Sequence, residues 1–324
     1  MKTTIGKLAL LAPLILGSGP AQSAADFPTK PLTLIVPFAP GGSTDTVARI
    51  ISQKLSEELK QSVVILNKAG ANTRIGTELA KRSAADGYTL VLATNGHTSN
   101  PVMQKEVSYD PIKDFQPIVY IGATPNVIAA NPKSGIKTLQ DLQDMARSNP
   151  EKVFYATAGQ GTVQHLTGAK LDEVAGTRMM HVAYKGGGPA AVDVIAGQVP
   201  ILISGLPAAI GYIKAGSLTP LAVTSKERSS IVPDVPSVAS SGHPGFESNF
   251  WFMILAPANT PESVVATLNT AFNKVLQQPE VRKQLAEQGV EPGGGSASDA
   301  ANMLLEDLAA TKKLVQAAGI PKLD

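Results

Sequence analysis

Two glycine-rich turns hold the residues best suited to chemistry. The first, Phe38-Ala39-Pro40-Gly41-Gly42-Ser43-Thr44-Asp45, follows the apolar run Leu34-Ile35-Val36-Pro37 and opens an amphipathic stretch. The second, Tyr184-Lys185-Gly186-Gly187-Gly188-Pro189, follows His181-Val182-Ala183. Paired glycines let a main chain approach a ligand closely, and the free NH groups and positive end of a following helix favour an anion. An ordinary strand-to-helix turn with Ser43 or Thr44 as N-cap has the same pattern. Two such turns on opposite lobes would form a clamp for a carboxylate. Each helix start contributes up to ~2 kcal/mol when partly buried, and hydrogen bonds to a charged group add roughly 1.5 to 3 kcal/mol each. Several together reach the ~8 kcal/mol of a micromolar site without a dedicated arginine.

Other polar residues follow apolar runs and would lie at the carboxyl ends of strands, where open α/β sheets bind ligands. These are Thr94 and Asn95, Thr157 and Gly159, and Ser204. Arg74 either pairs with a distal carboxylate of the ligand or is a solvated arginine at a helix start. Asp45 either accepts from a ligand amino or hydroxyl group or stabilises its helix start and pairs with Arg49. Phe38 and Tyr184 are either an apolar wall beside a ligand or ordinary core. Trp251, between Phe250 and Phe252, reads as core.

The elements that must position these residues alternate β-rich runs with helical periodicity, as an α/β fold with mostly parallel sheets requires. Strands are expected at 32–37, 63–67, 89–93, 154–157, 180–183 and 201–204, and helices at 44–59, 163–175 and 189–196. The C-terminal part reads as mostly helical, with Pro261 and Pro279 as first-turn prolines. Stretches rich in Pro, Gly, Ser and Asn at 122–132 and 233–245 suggest crossovers between lobes. The expected division is a first lobe of 26–123 plus 246–324 and a second of 124–245.

Composition narrows the function classes. The 324 residues are 43% hydrophobic and 17% charged, enough apolar material for two cored domains and against disorder. Residues 1–25 read as a signal peptide, with Lys2 and Lys7, an apolar run at 8–16 and the small residues Ser23-Ala24-Ala25. A mature chain is expected to start near Asp26 in the periplasm. Loss of Lys2 and Lys7 takes the 28 basic residues to 26, equal to the 26 acidic ones. No basic stripe points to nucleic acid or an anionic membrane. Cysteine is absent, which excludes disulfides, thiolate metal sites, a cysteine nucleophile and a lipidated cysteine.

Further short motifs accompany the turns in order: Asp86-Gly87-Tyr88-Thr89-Leu90, Tyr109-Asp110, Asp114-Phe115-Gln116-Pro117-Ile118, Gly197-Gln198-Val199, Leu221-Ala222-Val223-Thr224-Ser225 and Ala256-Pro257-Ala258-Asn259-Thr260-Pro261. Over essentially the whole mature chain this ordered set resembles the Bug receptors, the TctC-like substrate-binding proteins of tripartite tricarboxylate transporters. The resemblance implies a two-lobed periplasmic binding protein of the type II, Venus-flytrap kind, without catalysis, cofactor or metal. It implies a monomer that serves large and small membrane subunits, TctA- and TctB-like, and binds a small organic acid. Members take up citrate, other dicarboxylates, acidic amino acids and aromatic carboxylates. By motif, the carboxylate would meet main-chain NH groups, often with two ordered waters, at Phe38, Ala39, Gly42, Ser43, Thr44 and Asp45. Lys185, Gly186, Gly187, Gly188 and Pro189 mark the opposing turn, although proline offers no NH. The sequence departs from the family at Lys68-Ala69-Gly70-Ala71-Asn72-Thr73-Arg74, where relatives usually carry a Pro-Gly-Ala-Gly-Gly-like turn. Pro200 stands where an acidic residue often follows Gly-Gln-Val.

Two other classes compete. His97, His165, His181 and His243 are scattered, and no His-Glu-x-x-His, Gly-x-Ser-x-Gly or phosphate-loop motif is present, so nothing specifically asks for an enzyme, although a triad can assemble from distant segments. A sensor that presents its closed form to a membrane kinase would use the same fold.

Overall fold

A computed structural model describes residues 27–317 and Lys322. The expected signal peptide lies outside the described residues. Among them no helix is long and apolar enough to cross a membrane.

The first lobe begins with β1 (Leu32–Val36), α1 (Ser43–Leu59), β2 (Val63–Asn67), α2 (Arg74–Lys81), β3 (Thr89–Ala93) and α3 (Gly96–Met103). A 16-residue strand, β4 (Phe115–Ala130), then carries the chain into the second lobe. There follow α4 (Leu139–Ser148), β5 (Phe154–Thr157), α5 (Val163–Ala175), β6 (Met180–Ala183), α6 (Gly187–Ala196), β7 (Ile201–Gly205), α7 (Leu206–Lys214) and β8 (Thr219–Val223). Strand β9 (Asn249–Pro257) returns to the first lobe, completed by α8 (Glu262–Gln277), α9 (Pro279–Glu287), β10 (Glu291–Pro292) and α10 (Ala297–Ala317). Pro279 starts α9 as expected, whereas Pro261 is the residue before α8.

The sheet is mixed rather than mostly parallel. Parallel pairing joins β1 to β2 and β3, and β5 to β6 and β7, where helices form the crossovers. The pairs β3–β9, β4–β9, β4–β7 and β4–β8 are antiparallel, because β4 and β9 carry the chain between lobes in opposite directions. Strand β4 pairs with β9 up to Pro125 opposite Asn249, then with β7 from Asn126 opposite Gly205. The stretch at 122–132, expected as a punctuated crossover, is therefore strand up to Ala130. Gly122 sits at a register shift with φ 145°, and a Cβ there would lie 2.2 Å from the Glu291 carbonyl oxygen, so only glycine admits β10 alongside. The stretch at 233–245 packs with the second lobe, where Val235 and Val238 join its core. Asn126, Thr224 and Ser248 staple the two passages: the Asn126 amide donates to Thr224 Oγ1 (2.8 Å), and Asn126 Nδ2 to the Ser248 carbonyl (3.1 Å).

The inner strands of each half are buried on both faces, which is why they read as apolar runs, whereas the edge strand β2 alternates half-buried with exposed residues. In the first lobe Leu34, Val36 and Phe252 pack with Val47, Ile51, Leu268 and Phe272. On the other face Ile35, Val91 and Met253 meet Ala300 and Leu304. The second lobe is likewise cored on both sides, by Ile203 with Leu142 and Leu171, and by Leu202 with Ala191, Val194 and Ile210.

Helix α10 also anchors the strand that returns between lobes. Asp307 accepts from Trp251 Nε1 (2.8 Å) and from Thr98 Oγ1, and among the described residues no cation pairs with it. Burial pushes its carboxyl up, only partly offset by the two donors. A carboxyl with a raised folded value stabilises fully below its unfolded value of about 4, and that stability is lost as pH rises through the folded value. Asp307→Asn, whose amide can donate to Thr98 Oγ1, is therefore expected to keep or raise the melting temperature at pH 7. Its advantage over the parent should vanish at acid pH, as followed by the fluorescence of Trp251, the single tryptophan.

Candidate ligand-binding site

The first turn leaves its helix start open. Gly42 is the N-cap of α1, extended and without a side-chain cap, so the first-turn amides of Ser43 and Thr44 have no intrahelical partner. Asp45 instead fixes the turn from inside. Its carboxylate accepts from the Gly41 amide (3.0 Å), Asn67 Nδ2 (3.0 Å), and Arg49 Nε (2.8 Å) and Nη2 (3.2 Å). Burial alone would raise this carboxyl, but the donors from Arg49, Gly41 and Asn67 outweigh it and hold it below the usual value. Of the two roles open to Asp45, the structure shows the local one, pairing with Arg49.

The second turn is built alike. Gly186 is the N-cap of α6, again without a side-chain cap, and Pro189 in the first turn has no NH. The amides of Gly187 and Gly188 are therefore the donors this helix offers. Helix α7 opens at the same place, with Gly205 as N-cap, next to Ser204.

The lobes meet at these turns. The Ala39 amide donates to the Lys185 carbonyl (2.9 Å), Ser43 Oγ to the Gly205 carbonyl (3.0 Å), and Ser99 Oγ to the Gly161 carbonyl (3.1 Å). All three donors are in the first lobe and all three acceptors are main-chain carbonyls of the second. A Cβ on Gly188 would lie 2.7 Å from the Pro40 carbonyl oxygen and 2.9 Å from the Gly41 carbonyl carbon.

Besides a cavity of about 500 Å³ at the crossover strands, lined by Pro125, Arg228, Glu247, Asn249 and Glu291 among others, two cavities lie between the lobes beside these turns. The smaller, of about 10 Å³, is lined by Phe38, Gly42, Ser43 and Thr44 of the first lobe and by Ala158, Gln164, Gly187, Ser204 and Gly205 of the second, with Phe250 beside them. The starts of α1, α6 and α7 thus share one space of roughly a water's size. Gln164 Nε2 donates to Asn126 Oδ1 (3.0 Å), while its buried Oε1 has no partner. The larger cavity, of about 300 Å³, adjoins it through Phe38 and Ala158 and is lined by Arg74, Asn72, Thr73, Gln104, Gln160, Gly159, Tyr184 and Lys185 among others. That volume is at the lower end for small-ligand pockets. Its lining holds two cations, Arg74 and Lys185, and no acid.

The expected site residues divide accordingly. Phe38, Gly42, Ser43, Thr44, Gly187 and Ser204 line the small cavity, and Phe38, Arg74, Gly159, Tyr184 and Lys185 the large one. Phe38 also packs edge-on against Phe250 at 6.5 Å. Tyr184 presents its ring to the cavity with its hydroxyl bonded to Asp193 Oδ2 (2.7 Å); burial and that carboxylate raise it to about 12. Ala39, Gly186 and Gly188 form the contact between turns.

Besides Asp45 and those three contact residues, three more expected residues, Thr157, Asn95 and Thr94, line neither cavity. Thr157 Oγ1 bonds to His181 Nε2 (2.6 Å) and to the Gly159 main chain, a local role behind the pocket. Burial, reinforced by the stacked His165 ring, lowers His181 to about 3 and keeps it neutral. Asn95 Oδ1 accepts from the Trp251 amide (3.2 Å) at the strand that returns between lobes. Thr94 is buried with its hydroxyl unpartnered. In the other direction, Gln104, Gly205 and Phe250 line the cavities without having been singled out; they come from segments distant from either turn, and no local motif marks them. Among the described residues no three His, Asp or Glu side chains gather as a metal group.

Comparison with known proteins agrees with this architecture. Residues 47–320 match the model of the tripartite tricarboxylate transporter family receptor, TctC. Protein BugT of Bordetella pertussis is 36% identical over 275 residues, covering 83% of each chain. Among solved structures, R. palustris Rpa4515 with adipate is 35% identical with a TM-score of 0.89, over 92% of this chain and all of that one. MatC from Rhodopseudomonas palustris with bound malate is 29% identical with a TM-score of 0.85, over 89% and 100%. The chain belongs to the TctC family of tripartite tricarboxylate transporter receptors and has its two-lobed binding-protein fold.

Proposed function

We propose that the protein is a non-catalytic periplasmic receptor that captures a small organic carboxylate between its lobes and hands it to TctA- and TctB-like membrane subunits. The carrying observation is the meeting of uncapped helix starts from opposite lobes at one small cavity. A carboxylate oxygen placed there would accept from the amides of Ser43, Thr44, Gly187 and Gly188 and face the positive ends of α1 and α6. The two lobes would open about the Asn126–Thr224–Ser248 staple and close on the ligand. In this reading the mature chain starts near Asp26, acts as a monomer and needs no cofactor. The adipate and malate named for the two related structures fit the same ligand chemistry.

The purified mature chain, unfolded and refolded to remove any carried ligand, should melt at higher temperature with one or a few members of a mono-, di- and tricarboxylate panel. A ligand at 100 times its Kd adds about 2.7 kcal/mol. A flat response across the panel from folded protein would overturn the carboxylate reading. Uptake of the bound acid into vesicles that contain the two membrane subunits, dependent on added receptor, tests the transport role.

A further inference from the structure

The far wall of the larger cavity is built from backbone that ordinary residues avoid. Ala71, Asn72 and Thr73 have φ of 46°, 49° and 74°, three consecutive non-glycine residues in the left-handed region, directly before Arg74. Such a conformation persists only where its surroundings enforce it, and it clusters at ligand clamps. Here the enforcing bonds are visible. Asn72 Nδ2 donates to Asn100 Oδ1 (2.9 Å), and Asn100 Nδ2 returns to the Asn72 carbonyl (2.6 Å) and Thr73 Oγ1 (3.4 Å). Gln104 Nε2 also donates to Asn100 Oδ1 (2.7 Å), and Gln104 Oε1 in turn accepts from Arg74 Nη1 (3.2 Å), which donates to the Glu106 carbonyl as well (2.9 Å). The strained turn and Arg74 are thus one rigid assembly anchored on α3.

The guanidinium it holds is under-neutralised. Its fixed partners are a neutral amide and a carbonyl, both on Nη1. The nearest acid, Glu78, is 3.9 Å from Nε and is closer to Arg82, at 3.2 Å. Among the described residues Nη2 is given no acceptor, and no acid lines the cavity that Arg74 shares with Lys185. A ligand whose single carboxylate sits at the helix starts would leave Nη2 of this one-third-exposed cation with water alone as a partner. A second anionic group at the far end would complete the guanidinium's hydrogen bonding with the fork geometry that suits a carboxylate.

We infer that Arg74 is a specificity-determining residue that reads a second, distal carboxylate, so that the receptor selects dianionic acids over monoacids of equal length. This rests on the carboxylate reading above. The test titrates four matched pairs by calorimetry: succinate against butyrate, glutarate against pentanoate, adipate against hexanoate, and pimelate against heptanoate. The parent protein should bind the best diacid at least tenfold more tightly than its matched monoacid, since a charged hydrogen-bonded pair is worth about 10- to 100-fold. In Arg74→Gln that ratio should fall towards one, and Arg74→Lys, with charge but no fork, should restore part of it. Tight monoacid binding without a diacid preference in the parent, or an unchanged ratio in Arg74→Gln, overturns the assignment of Arg74 and leaves the carboxylate receptor standing. No binding by any of the eight acids or the wider panel overturns both. If Arg74→Gln fails to fold, the parent's ratio and that of Arg74→Lys decide the matter.

Discussion

Gly188→Ala is expected to weaken ligand binding by about 5- to 150-fold with little change in the melting temperature of the unliganded protein. The added Cβ would meet the Pro40 carbonyl oxygen at 2.7 Å and the Gly41 carbonyl carbon at 2.9 Å, both main-chain atoms of the opposite lobe. Neither can rotate away as a side chain can. Overpacking of this kind costs about 1 to 3 kcal/mol, and each 1.4 kcal/mol is about a factor of ten in affinity. In the lobe opening proposed above, the cost falls on the closed form alone, because the two turns would separate as the lobes part. Gly188 also lies outside the left-handed region, so alanine there brings no backbone strain of its own. Gly187 is the contrasting position, since its Cβ would meet Ala208 Cβ, which cannot rotate away, at 3.3 Å and Ser204 Oγ at 2.7 Å, both within the second lobe. Gly187→Ala should therefore lower the stability of the unliganded protein, whereas Gly188→Ala should not. Calorimetric titration of both variants with the best ligand, beside their melting curves, separates the two. Unchanged affinity in Gly188→Ala would remove the contact between turns from the binding event.

Asp45→Ala is expected to lower stability by about 2 to 4 kcal/mol at pH 7 and to weaken binding with it. The substitution removes the acceptor of the Gly41 amide and of one Asn67 Nδ2 hydrogen, the other being held by the Phe38 carbonyl, and leaves Arg49 without its partner. The exposed Arg49 contributes little of this, because water resolvates it readily. Asp45→Asn gives the pH dependence. The folded value of Asp45 lies below its ordinary one, so its stabilisation is fully present above an unfolded value of about 4 and is lost as pH falls through the folded value. Urea unfolding from pH 7 to pH 3 should therefore show parent and Asp45→Asn far apart at neutral pH and converging in acid. A constant gap across that range would mean that the carboxylate's charge is not what holds the turn.

The local elements were legible because each carries its own signal. Strands β2, β3, β5 and β6 and helix α5 have the bounds read from apolar runs and helical spacing, and α1 differs by one residue. Both glycine turns were visible because a glycine pair between an apolar run and a helix start is a local signal, although an ordinary strand-to-helix turn shares it. What sequence could not show was which surfaces face each other. Asp45 had two roles of equal merit until its four donors were placed around it. Thr157 and Asn95 follow strands as pocket residues do, yet one turns back to His181 and the other to Trp251. Strand β4 was hidden because Gly122 and Pro125 are turn formers anywhere except at a bulge or a change of pairing partner. The left-handed run at 71–73 has no sequence signature either, since it is imposed by Asn100, 28 residues from Asn72.

Three of the bonds between the lobes, those at and beside the turns, end on the carbonyls of Lys185, Gly205 and Gly161. A carbonyl is common to every residue type, so a substitution at Lys185 changes the side chain without deleting the acceptor. Gly205 has no such freedom, because a Cβ there would lie 2.6 Å from Ser43 Oγ, the donor itself, and Gly161, at φ 80°, favours glycine. The far wall of the larger cavity lies outside these joints. One chain architecture can then be retuned from acid to acid by changing the far wall alone, which makes the fold an economical starting point for engineered sensors of other small anions.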